Sequence, residues 1–280
     1  MAQSAPLRSP VLDLNDGQAR PQVGLGVWQT PADVTAEVVR TAIAEGYRSI
    51  DTAAAYQNEA GVGGGARASG VAREELFITT KLPSRDHGYD ETLAAFDKSL
   101  ARLGMDYVDL YLIHWPVPAL DRYIDSWRAM VELREQGRAC SIGVCNFMVE
   151  HLRRMIGETG EVPAVNQVEL HPRFQQTELR AFHAGQGIRT ESWSPLGQGQ
   201  LLKHPVIARV AARHGKTPAQ AIIRWHIDQG LVVIPKSVRA ERIAENFEVF
   251  DFRLDDEDFA AIAALDEPMG RIGPDPLTFG

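Results

Sequence analysis

Four apolar runs each stop on a residue that can carry or steer a proton. RSID ends on Asp51, LFITTK on Lys81, VDLYLIH on His114 and LVVIPK on Lys236, while Tyr56 follows Asp51 across a loop of small residues. Singly, an Asp, Lys or His just past a strand reads as a helix cap or a solvated surface group. Together, a carboxylate, a phenol, an ammonium and an imidazole form the set needed to deliver a proton to a carbonyl oxygen. They meet only if their strands run parallel and open on one cavity, as at the C-terminal face of a β/α barrel.

The elements that would position them alternate along the chain. Residues 11–23, VLDLNDGQARPQV, place Asp16-Gly17 between two short strands, a hairpin expected to close the barrel bottom. VGLGVW is taken as the first barrel strand. A helix from about Asp33 to Glu45 follows, with Val34, Val38, Val39 and Ile43 at helical spacing and Gly46 as its stop. Further strands are expected at Leu76–Lys81, Val108–His114, Cys140–Val144, Ala164–Val168, Ile188–Ser192 and Leu231–Pro235. Helices are expected at about 90–103, 120–136, 148–156, 177–186, 205–214, 218–229 and 240–249. This regular β/α alternation favours a closed, parallel (β/α)8 TIM barrel over an open doubly wound sheet. Residues 1–280 are read as one domain, with an irregular tail at 266–280 draped over the barrel mouth. Gly61, Gly63 and Ala66 spell G-x-G-x-x-A, but some ten residues separate them from the preceding strand, so close helix packing explains them better than a dinucleotide turn.

Composition narrows the function. A length of 280 residues, 44% of them apolar, can bury a sizeable core, and a net charge of −8 without a long basic run argues against nucleic acid or an anionic membrane as partner. A small-molecule ligand fits better, and the proton-delivering set makes a carbonyl substrate the expected one. MAQSAPLRSP has no apolar leader core and no run reaches 18 apolar residues, so a cytoplasmic protein is expected. Cys140 and Cys145 are too close along one strand for an ordinary disulfide and read as reduced thiols. The eight histidines form no close cluster in the sequence, and no metal site is expected.

On the segments GYRSIDTAAAYQNEAGVG, LGMDYVDLYLIHWP, VNQVELHP and IPKSVRAERIAENFEVFD, in that order, the chain resembles the aldo-keto reductase family over almost its whole length. Through ESWSPLGQGQ, HGKTPAQAIIRWH and PKSVRAERIAENFEVFDF it is most similar to bacterial 2,5-diketo-D-gluconate reductases. The resemblance implies an NADPH-dependent carbonyl reductase, usually a monomer, in which hydride passes from nicotinamide C4 to a carbonyl carbon. Tyr56 matches the proton donor, Lys81 the ammonium that makes the phenol more acidic, Asp51 its carboxylate partner and His114 the group that orients the carbonyl. Cofactor contacts are implied at Val27, Trp28, Asp51, Cys145, Asn146, Gln167 and Trp193, at Ser194, Pro195, Leu196 and Gly197, and at Lys236, Ser237, Val238, Arg239, Arg242, Glu245 and Asn246. Trp193 matches the ring that stacks on nicotinamide; Lys236, Ser237, Arg239 and Arg242 match the clasp for the 2′-phosphate. Cys145 stands where the family most often has serine, which weakens that contact. Trp28, Tyr56, His114 and Trp115 match the substrate pocket. Pro83 replaces a common Trp, the tail is particular to this chain, and Phe279 is expected to approach the site.

Two other readings follow from the same residues. Lys81 could act as a Schiff-base nucleophile in a barrel lyase, or the fold could serve a non-catalytic NADPH-binding sensor.

Overall fold

A computed structural model describes residues 9–280; most of the stretch read above for a leader lies in residues 1–8, outside the described residues. Asp16 and Gly17 reverse the chain between β1 (Val11–Asp13) and β2 (Ala19–Pro21), with Gly17 at φ 84°. The barrel strands are β3 (Leu25–Gly26), β4 (Ser49–Asp51), β5 (Phe77–Leu82), β6 (Val108–Ile113), β7 (Ala139–Cys145), β8 (Val165–Glu169), β9 (Arg189–Trp193) and β10 (Val232–Val233). They form one eight-stranded parallel sheet in chain order. The sheet closes on itself: Val23 bridges Val233, and Gly24 N and Gly26 N donate to the carbonyls of Val233 and Pro235 at 2.9 and 3.2 Å. The expected (β/α)8 barrel with its N-terminal hairpin is therefore the observed fold.

One helix follows each of the first six barrel strands: α1 (Ala32–Ala44), α2 (Glu59–Ala68), α3 (Tyr89–Leu103), α4 (Tyr123–Glu135), α5 (Val149–Thr159) and α6 (Thr177–Gln186). Two helices, α7 (Pro205–Arg213) and α8 (Pro218–Asp228), follow β9, then α9 (Ala240–Phe247) follows β10 and α10 (Asp256–Ala263) precedes the irregular tail. Local chemistry sets their ends. At α8, Thr217 Oγ1 accepts from Gln220 N, Gln220 Oε1 accepts from Thr217 N at 3.0 Å, and Pro218 fills the first turn where no N–H is needed. Such a cap contributes about 1 kcal/mol.

Strand alternation divides the core. Ile50, Ile78, Leu82, Tyr111, Ile113, Ile142 and Val144 face the helices, whereas Phe77, Leu110, Leu112, Cys145 and Val165 fill the lumen with Leu14 of the hairpin beneath them. Both faces are buried, which is why these strands read as nearly continuous apolar runs. The glycines of α2 serve helix packing. A Cβ on Gly63 would lie 1.8 Å from Leu103 O, and one on Gly65 2.4 Å from Ala36 O, so substituting either would push α2 off its neighbours.

The first strand, read as VGLGVW, pairs only over Leu25–Gly26, several other ends shift by a few residues, and two boundary differences have clear local causes. Val117 (φ 44°) and Asp121 (φ 49°) sit in left-handed conformations around Pro118, so α4 starts at Tyr123 and not near Leu120. The last strand pairs only over Val232–Val233, because Pro235 has no N–H to continue the ladder and contributes only its carbonyl.

Candidate active site

Asp51 ends β4 and lies opposite Thr79 of β5, so Lys81, two residues on, projects into the same end of the lumen. Lys81 Nζ donates to Asp51 Oδ1 at 2.6 Å and to Thr52 O at 2.9 Å, and lies 3.5 Å from Tyr56 Oη. Burial works to strip the charge from this ammonium, but Asp51 and then Tyr56 outweigh it and hold its pKa above the ordinary lysine value. A lysine held charged in this way is a poor Schiff-base nucleophile, which needs a depressed pKa.

Tyr56 departs from the sequence expectation. Burial pushes its phenol above the ordinary value; Lys81 pulls it down and Asp51 pushes it up again, and burial wins. The ammonium acts in the expected direction without making the free phenol acidic, so Tyr56 carries its proton at neutral pH. His114 packs edge-on against the Tyr56 ring, centroids 5.6 Å apart, and burial followed by the charge of Lys81 lowers its pKa to about 3. It is a neutral imidazole with one N–H to give. Asn58, which the sequence reading passed over, fixes the loop between them. It accepts from Thr52 Oγ1 at 2.7 Å and donates to Val27 O and Thr30 O at 2.9 and 3.2 Å, tying the segments that carry Tyr56 and Trp28 together.

A second group adjoins the first. Asn146, at φ 63°, donates to His114 O at 3.0 Å and accepts from Trp193 Nε1 at 2.8 Å, which ties the indole to the backbone that carries His114. Gln167 Nε2 donates to Asp51 Oδ2 at 2.8 Å, and Cys145 Sγ donates to Gln167 Oε1 at 3.3 Å. Here Gln167 spends both ends of its amide inside the lumen, and Cys145, its thiol pushed well up by burial, faces Gln167. Val27 N donates to Asp51 O at 3.1 Å, and Trp28 beyond it is 43% exposed. Ser194, Pro195, Leu196 and Gly197 form a tight turn closed by Gly197 N donating to Ser194 O at 2.9 Å.

Lys236, Val238, Arg239 and Arg242 stand in solvent after β10, with Ser237 buried among them and its Oγ accepting from Arg239 N at 3.1 Å at the start of α9. Among the described residues none of these cations pairs with a carboxylate. Asn246 is buried, and Glu245 is tied to α8, its Oε1 accepting from Thr217 Oγ1 at 2.8 Å.

The tail crosses the mouth between two anchors. Glu169 Oε1 and Oε2 accept from Ile272 N and Gly273 N at 2.5 and 2.8 Å, and His171 Nε2 lies 3.1 Å from the same carboxylate. Gly273 packs so near Trp193 that a Cβ there would lie 2.5 Å from the indole. At the far end Phe279 stacks on Trp115, centroids 4.2 Å apart. Glu169 lies within VNQVELHP, yet nothing in the sequence marks it as an acceptor for residues a hundred positions away.

A model of the aldo/keto reductase family matches residues 21–267. An aldo-keto reductase of Mycolicibacterium smegmatis is 60% identical over 271 residues, 97% of this chain and 98% of that protein. The methylglyoxal reductase DkgA of Escherichia coli is 54% identical over 272 residues, 96% of this chain and 98% of that one. Among solved structures, a Gox0644 variant in complex with NADPH superposes with a TM-score of 0.94 at 52% identity, covering 97% of this chain and 99% of that chain.

Proposed function

The chain belongs to the aldo/keto reductase family, and from that premise we propose that it reduces an aldehyde, ketone or dicarbonyl with NADPH, Tyr56 supplying the proton. The single observation that carries the reading is the Asp51–Lys81–Tyr56 arrangement, with Lys81 Nζ at 2.6 Å from the carboxylate and 3.5 Å from the phenol. When bound, NADPH supplies the hydride from its nicotinamide C4. The chain's own residues then have the other half of the reaction. Neutral His114 donates a hydrogen bond to the carbonyl oxygen and orients it. As negative charge gathers on that oxygen, the phenol of Tyr56 gives up its proton, and the phenolate left behind is stabilised by the Lys81 ammonium. Asp51 keeps Lys81 charged and aimed inward, and the proton on Tyr56 is restored from solvent.

The remaining residues suit the cofactor. Exposed Lys236, Arg239 and Arg242, without carboxylate partners among the described residues, stand beside buried Ser237 at the start of α9 and offer a dianion both charge and helix N–H groups. Trp193, its Nε1 held by Asn146, presents a fixed aromatic face for the nicotinamide ring. Asn146 and Gln167 would hold the carboxamide, Gln167 with its second amide hydrogen while the first stays on Asp51; Ser194, Pro195, Leu196 and Gly197 would cover the pyrophosphate. Val27, Val238, Glu245 and Asn246 complete the contacts. Trp28, Trp115 and Phe279 would bound the substrate, and the methylglyoxal reductase named above makes a small dicarbonyl the first compound to try.

We take residues 1–280 as one barrel domain acting as a monomer in the cytoplasm. Free Cys140 and Cys145 support a reducing compartment. No helix among the described residues is long and apolar enough to cross a membrane.

The test is NADPH oxidation with methylglyoxal. Tyr56→Phe is expected to lose turnover while binding NADPH within about threefold of the parent, since the change removes a transition-state proton and not a ground-state contact. Turnover at the parent rate would reject the assignment.

A further inference from the structure

Below the Asp51–Lys81 pair the lumen contains a second ion pair that no step above employs. Arg20 leaves β2, enters the barrel from its floor and donates from Nη2 to Glu191 Oε1 at 2.5 Å, neither side chain having any exposed surface. The guanidinium also lies 5.0 Å from the Phe77 ring centroid. Glu191 sits on β9 two residues before Trp193 and opposite Gln167 of β8, which is itself opposite Cys145 and donates to Asp51. Four charges in two layers therefore share one lumen, with the Gln167 amide between them.

Stability does not account for such a pair. Each ion loses several kcal/mol of hydration on burial, and a volume-matched apolar pair commonly folds as well or better. The two layers also sense each other. Burial pushes the Glu191 carboxyl up, Arg20 opposes this, Asp51 adds to it and Lys81 opposes it.

We propose that Arg20 and Glu191 are positioning residues of the reductase site: as a neutral pair they set Gln167 against Asp51 and fix the electrostatic balance in which Lys81 acts on Tyr56. This rests on Tyr56 being the proton donor. The sign of the effect follows from residue type. Arginine cannot lose its proton, so neutralising Glu191 leaves an uncompensated positive charge beneath Lys81 at every working pH. A positive charge favours phenolate, and Tyr56 should then release its proton at lower pH. The other groups facing Tyr56 are Lys81, Asp51, His114 and Cys145. Asp51 holds Lys81 charged, burial keeps His114 neutral, and burial pushes the Cys145 thiol well up, against ionisation.

The experiment follows the reverse reaction, NADPH formation from NADP+ and hydroxyacetone, whose rate below the phenol's raised pKa climbs with pH in proportion to the minor phenolate fraction of Tyr56. Glu191→Gln keeps an acceptor for Arg20 and removes only the charge. The rising limb is expected to move to lower pH by about 0.5–1 unit, making the variant about three- to tenfold faster at a fixed pH on that limb. Arg20→Met combined with Glu191→Leu removes both charges and should return the limb to its parental position. That second variant separates electrostatics from mere packing, because a strut would change melting temperature or kcat without moving the limb. An unmoved limb in Glu191→Gln, a move to higher pH, or failure of the double variant to restore it would overturn the proposal. If Tyr56→Phe is inactive while the limb stays unmoved, the proton-donor reading stands and the positioning role falls. If Tyr56→Phe is active, both fall.

Discussion

The proposed proton-delivering set and the proposed cationic clasp both arise at ends of barrel strands, yet they are built in opposite ways. Asp51 and Lys81 are almost wholly buried and bonded to each other, to Thr52 and to Gln167. Lys236, Arg239 and Arg242 stand in solvent without carboxylate partners among the described residues. A group that must stabilise charge for the instant of proton transfer gains from a dry, prearranged site, where no reorganisation is needed. A group that only meets a phosphate can stay hydrated until the anion arrives. The interior should therefore govern turnover and the exterior affinity.

The largest effect is expected at Lys81. Lys81→Met should lower kcat about a thousandfold or more, with NADPH affinity within about threefold. It also strands the Asp51 charge, which costs about 3–5 kcal/mol of stability. Adding Asp51→Asn should recover the melting temperature without recovering turnover. Should Lys81→Met weaken NADPH binding and spare kcat, the contrast between the two regions collapses.

Next is Arg239→Ala. Its expected signature is a rise of about ten- to a hundredfold in the Kd for NADPH by fluorescence titration, with little change for NADH, because a charge-assisted phosphate contact is worth roughly 1.5–3 kcal/mol. Raising NaCl from 0.05 to 0.5 M should weaken NADPH binding to the parent in the same sense, since exposed charges are screened. Equal losses for NADPH and NADH would move the 2′-phosphate elsewhere.

Acid sharpens the contrast at the level of stability. His183 and His226 are fully buried, and burial lowers their pKa to about 3 and about 4. Their unfolded values near 6.5 are higher, so below that pH the unfolded chain takes up protons that the folded one refuses. Each should withdraw stability at up to about 1.4 kcal/mol per pH unit between pH 6.5 and its folded value. Thermal unfolding at pH 7, 6 and 5 would show it as a falling midpoint, and a flat profile would contradict the burial. Cys145→Ser should matter least, changing kcat less than about threefold, because either group can donate to Gln167 Oε1.

Much of this was legible because strand period and strand end are local signals. The runs ending on Asp51, Lys81 and His114 place three candidate groups at one end of a barrel once the strands are parallel, and the hairpin turn at Asp16-Gly17 is visible from two residues. What stayed hidden depends on packing between distant positions. Arg20 and Glu191 lie 171 residues apart, and nothing near either names its partner. Glu169 looks like part of a strand motif until the tail folds back over it. The net pKa of Tyr56 is illegible for the same reason: sequence supplies the neighbouring ammonium, whereas the opposing burial emerges only from the assembled barrel.

The two tail anchors have a practical corollary for protein engineering. Glu169 grips the backbone at Ile272 and Gly273, and Trp115 grips a ring at Phe279, so the span from 274 to 278 behaves as a cassette clipped at both ends. Libraries confined to that cassette would vary the ceiling of the mouth while leaving the strands, and the proton chemistry proposed for them, untouched.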